Sequence, residues 1–93
     1  MKSPDTNASN HLVKTLGNIV KKHRLSQKKT MYKISAECSV HKDSWRLLEN
    51  GLINDVKLST IWKVAEGLDI PPDKLIKELS DSLGENFSLC DLK

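Results

Sequence analysis

Apolar residues recur at spacings of three and four along most of this chain, and no segment alternates apolar with polar residues. Spacings of three and four put side chains on one face of an α-helix, whereas a half-buried strand repeats every two. This pattern predicts an all-α fold. The runs are short. Leu12, Leu16, Ile19 and Val20, with His23 in register, predict a first helix capped by Ser9 or Asn10 and ending near Ser26 or Gln27. Met31, Ile34 and Cys38 predict a second helix of about eight residues capped by Thr30, followed by a tight turn at Ser39-Val40 with the valine inward. Trp45 and Leu48 mark a third helix, stopped by Gly51, which suits the left-handed residue of a helix end. Leu58, Ile61, Val64, Ala65 and Leu68 form the stripe of a fourth. Pro71-Pro72 and Asp73 open a fifth, with Leu75, Ile76 and Leu79 on its apolar face.

Ninety-three residues make one domain, and so short a chain needs a regular, close-packed core. Residues 1–9 are expected to be a disordered arm, residues 10–82 the folded unit and residues 83–93 a short tail carrying Phe87, Leu89 and Leu92. No apolar run approaches the roughly 20 residues that span a bilayer. The stretch "MKSPDTNASN" lacks a signal-peptide core, so a cytoplasmic chain is expected. Cys38 and Cys90 fit no metal-ligand spacing and read as free thiols in a reducing compartment. Cys38 and His41 are three apart, but no third ligand joins them. There is no glycine-rich phosphate loop and no suggestive Ser-His-Asp or Cys-His order, so neither a cofactor nor enzymatic activity is expected.

Charge is unevenly spread behind the net +3. Residues 1–36 hold eight lysines and arginines against Asp5 alone, while residues 66–93 hold three lysines against seven acids. A basic front suits a polyanion, although a lysine-rich solvated helix surface would look the same.

Two short helices, a turn with one inward valine and a helix ending "LLENG" form a recognisable constellation. With "LENG" (48–51), "IWKVAEGLDI" (61–70) and "DKLI" (73–76), residues 12–79 resemble the lambda-repressor-like DNA-binding domain, the Cro/repressor type or XRE family of helix-turn-helix regulators. The resemblance implies a compact bundle of five short helices, with helices 2 and 3 as the helix-turn-helix. It also implies a homodimeric transcriptional regulator that reads double-stranded DNA. It decides an ambiguity in "RLSQKKTMYKIS" (24–35), where Ser26-Gln27 and Thr30-Met31 both look like helix starts. Counting back from Gly51 without gaps places the start at Thr30-Met31. The other register would need four inserted residues and would turn Lys33 or Thr30 toward the core, and burying an unpaired lysine is costly.

In that register the resemblance assigns base contacts to Lys42, Asp43, Ser44, Arg46 and Leu47 on the third helix. Lysine can donate to guanine, a carboxylate can accept from cytosine and leucine can pack on a thymine methyl. Asp43 could equally serve to stabilise the helix start. Phosphate contacts fall on Thr30, Met31 and Tyr32, with Lys28, Lys29 and Lys33 nearby, and on Asn50, Leu52 and Asn54 after the third helix. Arg24 and Glu49 fall where the family carries a partly buried arginine–carboxylate pair. The chain departs from the family at Met31, where glutamine is usual, and at Lys28 and Ser39, where glycine is common. Trp45 is larger than the usual aliphatic residue, so either the core around it is rearranged or its edge is partly exposed. Helix 5 with the tail, or Trp62, could form a dimer surface. The alternative function is a protein-binding adaptor or antitoxin-like module of the same fold, which Met31, Asp43 and the acidic last third would suit.

Overall fold

Five α-helices follow one another in the computed structural model: α1 (Pro4–Ser26), α2 (Met31–Cys38), α3 (Lys42–Glu49), α4 (Leu58–Gly67) and α5 (Pro72–Leu83). Residues 4–90 are described, with side chains from Ala8 onward, and there is no strand among the described residues. The Cα radius of gyration is 13.4 Å, close to the roughly 12 Å of a compact chain of this length. The all-α expectation therefore holds.

The amino-terminal boundary differs from expectation. Helix α1 runs 23 residues from Pro4, so most of the expected arm is helical, and Ser9 and Asn10 lie inside the helix instead of capping it. Proline's fixed φ suits a first helical turn, and no helix breaker separates Pro4 from the apolar run at Leu12. Residues 1–3 lie outside the described residues.

Helices α1 to α4 end in closely similar ways. A residue with left-handed backbone follows each, namely Lys28 (φ 58°), Ser39 (φ 59°), Gly51 (φ 68°) and Asp69 (φ 60°). The next amide then reaches back across the last turn: Lys29 N to Arg24 O, Val40 N to Ser35 O, Leu52 N to Leu47 O and Ile70 N to Ala65 O, all 2.9–3.2 Å. This bonding satisfies carbonyls that a helix end otherwise leaves orphaned. Only Gly51 adopts the conformation without steric cost, since a side chain in the left-handed region costs about 1–2 kcal/mol. Ser39→Gly is therefore expected to stabilise the fold by about 1 kcal/mol, net of glycine's greater freedom when unfolded. A urea midpoint unchanged or lowered would contradict that.

The core draws on every helix. Leu16, Ile19 and Val20 from α1 meet Ile34 and Cys38 from α2, Val40 from the turn, and Trp45 and Leu48 from α3. Val64, Ala65 and Leu68 from α4 and Leu75 and Leu79 from α5 complete it. Helix α1 packs on α3 and α5, α2 on α3 and α4, and α4 on α5. Leu12, Met31 and Ile61 of the expected stripes are only partly buried against this core, and two further members are exposed. Leu58 is 69% exposed and Ile76 is 40% exposed, because each stripe is wider than the strip its neighbours cover.

Candidate nucleic-acid interface

Helix α2 begins where Thr30 caps it, the hydroxyl accepting from Lys33 N at 3.1 Å. Ile34, Ser35 and Cys38 turn inward, while Tyr32 and Lys33 face solvent. The Ser39 turn then reverses the chain and buries Val40. Helix α3 opens at His41, whose Nδ1 accepts from Asp43 N at 3.1 Å. An imidazole nitrogen thus plays the part usually taken by a serine or aspartate oxygen. His41→Ala is expected to cost about 1 kcal/mol and His41→Ser little. Equal urea midpoints for the alanine variant and the wild type would show the cap to be idle.

Along α3 one face is buried by Trp45 and Leu48. The other presents Lys42, Asp43, Ser44 and Arg46 to solvent, with Leu47 half-buried at its edge. Neither Lys42 nor Arg46 forms an ion pair among the described residues. Lys42 and Asp43 also line a groove shared with Tyr32, Ser35 and Ala36 of α2. The base-contact candidates thus lie together on one exposed helix face beside α2.

Arg24 and Glu49 hold that face in place. Arg24 Nε donates to Glu49 Oε2 at 2.5 Å and Nη2 to Glu49 Oε1 at 3.0 Å, a bidentate pair. Arg24 Nη1 also donates to Lys29 O at 2.8 Å, tying the entry of α2 to the exit of α3. The Glu49 carboxylate holds the guanidinium even more firmly charged than usual, chiefly through these hydrogen bonds. Sequence reasoning missed the third partner. Trp45 Nε1 donates to Glu49 Oε2 at 2.5 Å. Their spacing of four on one helix was the available signal. Trp45 is fully buried, so of the two possibilities its edge is not exposed; the core accommodates the ring and Glu49 satisfies its N–H.

The phosphate candidates divide. Thr30, Tyr32, Lys33 and Lys28 are exposed around the start of α2, and Asn50, Leu52 and Asn54 are exposed after α3. Met31 is half-buried against the core, which leaves it only its backbone amide to offer. Lys29 is turned elsewhere. Its Nζ lies 3.1 Å from Glu37 Oε1 and 3.3 Å from Gly67 O, where a cation complements the carboxyl end of α4. Gln27 does similar work, donating to Leu68 O at 2.6 Å. Gln27 thus closes the end of α1 onto α4, whose last carbonyls need donors, while the Ser26 hydroxyl donates back to His23 O within α1 at 2.8 Å.

The candidate dimer surfaces also differ from one another. Phe87 is half-buried and folds back beside His11, with ring centroids 5.9 Å apart. Leu89 and Trp62 are exposed, and Leu92 lies outside the described residues. Cys38 is buried, which pushes its thiol pKa up, and no group of three His, Cys, Asp or Glu residues suits a metal among the described residues. No helix is long and apolar enough to cross a membrane. No protein-family model matches this chain, and no curated protein matches it.

Proposed function

We propose that this protein is a sequence-specific double-stranded DNA-binding transcriptional regulator of the lambda-repressor-like helix-turn-helix class, with α2 and α3 as the motif and α3 in the major groove. The observation that carries this reading is the exposed face of α3 that bears Lys42 and Arg46, neither of them in an ion pair among the described residues, while the opposite face is locked into the core. Lys42 and Arg46 donate to base edges, Ser44 and Asp43 offer shorter contacts and Leu47 covers the groove edge. The amides opening α2, with Thr30, Tyr32 and Lys33, and the Asn50–Asn54 segment hold phosphates. A homodimer reads two half-sites about one helical turn apart.

Selection from random duplexes tests the reading, since it yields both a preferred sequence and a half-site spacing. Lys42→Ala and Arg46→Ala are each expected to weaken binding to the selected duplex about tenfold or more with an unchanged melting temperature. Binding that survives both substitutions would remove α3 as the reading helix.

A second reading is a protein-binding module of the same fold. Leu58 and Trp62, one turn apart on α4 and both more than half exposed, favour it. No binding to any duplex even at low salt would make this the better reading.

A further inference from the structure

Helix α1 approaches the end of α3 unusually closely, and two glycines permit it. A Cβ on Gly17 would run into the carbonyl oxygen of Leu48, and one on Gly51 would meet the backbone and stem of Lys14. This seating fixes a cleft lined by Lys14, Asn18, Lys21, Glu49 and Asn50. Lys14, Asn18 and Lys21 are spaced by four and three, so they share one helix face. All three are exposed, as is Asn50. Neither lysine is in an ion pair among the described residues.

The one acid in the lining does not oppose an anion there. The Glu49 side chain is fully buried and its oxygens are committed to Arg24 and Trp45. The end of α3 is also quiet, because Leu47 O and Leu48 O already accept from Leu52 N and Gly51 N. What faces solvent is two ammonium groups and two carboxamides, a donor set suited to a phosphodiester. The cleft is continuous with the Asn50–Asn54 segment.

We propose that Lys14 and Lys21, aided by Asn18 and Asn50, hold a DNA backbone phosphate against the exit of α3. This extends the phosphate-binding surface from the helix-turn-helix onto α1. It rests on the DNA-binding reading. The competing explanation is that the two lysines only neutralise the carboxyl end of α3.

The salt dependence of binding to the selected duplex separates these cases. Each phosphate contact contributes about 0.9 to the slope of log affinity against log salt. The Lys14→Gln, Lys21→Gln double variant is expected to lower that slope by about 1 for each protomer bound, one phosphate apiece, while keeping the wild-type sequence preference. A control of equal charge change, Lys74→Gln with Lys77→Gln on α5, is expected to leave the slope as in the wild type. Asn18→Asp, which puts a carboxylate into the cleft, is expected to weaken binding with no loss of melting temperature. If the wild type binds steeply with salt and the α1 variant has the same slope, the phosphate site is wrong and the DNA-binding reading stands. Equal slope changes in both double variants would mean diffuse attraction and likewise overturn the site. If the wild type binds no duplex, both fall.

Discussion

Replacing Glu49 with alanine is expected to lower the unfolding free energy by about 4 kcal/mol. The carboxylate is fully buried and serves three donors: Arg24 Nε, Arg24 Nη2 and Trp45 Nε1. Its removal leaves a guanidinium with only Lys29 O and an indole N–H with no partner. A buried charge deprived of its partner costs about 3–5 kcal/mol, and an orphaned neutral donor about 1–3 more in isolation. The two costs do not simply add, because the alanine cavity lets water reach both groups. A second variant distinguishes an ion pair from a three-way junction. Arg24→Met with Glu49→Leu replaces the pair by apolar groups, an exchange often nearly neutral in itself. Here it still strands Trp45 Nε1, so a deficit of about 1–3 kcal/mol should remain. Urea unfolding followed by tryptophan fluorescence measures both. Glu49→Ala within about 1 kcal/mol of wild type would show that the junction is solvated or dispensable.

Gly17→Ala is expected to cost about 3 kcal/mol, the upper end for overpacking. Helix propensity alone predicts the opposite sign, since alanine in a helix interior is favoured over glycine by about 1 kcal/mol. Packing wins because the new Cβ would meet Leu48 O, then Glu49 O at 3.0 Å and Glu49 C at 3.2 Å. All three are backbone atoms and cannot swing aside as a side chain can. Helices α1 and α3 would have to separate, which also pulls on the Arg24–Glu49 junction. A higher melting temperature for Gly17→Ala would mean that this close approach is slack.

The helix periods were legible in the residues because apolar spacing is a local property with a global consequence. Thr30 as a cap was legible for the same reason: an oxygen three residues before an amide needs nothing from the rest of the chain. The left-handed residues were only half legible. Gly51 announces itself, but Lys28, Ser39 and Asp69 do not, and their conformations follow from the amide that comes next reaching back across the turn. An apolar residue directly after the turn, as at Val40, Leu52 and Ile70, was the signal available. The start of α1 is not legible in the residues, because a polar stretch without a stop can be arm or helix. In the sequence Lys29 is indistinguishable from its basic neighbours, since nothing local shows that α4 ends beside it.

What the sequence by itself determined is therefore the helical class, the number of helices and the stripe each has to bury. The tertiary structure alone decided where the charges and close approaches went. It sent Lys29 to α4, added Trp45 to the carboxylate that the resemblance had already matched with Arg24, and seated α1 on the end of α3 through Gly17. Periodicity depends on neighbours three or four residues away, as Trp45 and Glu49 are, whereas the contacts of Lys29 with α4, of Arg24 with Glu49 and of Gly17 with α3 join residues far apart in the chain. Only the packed arrangement brings such residues within reach of one another.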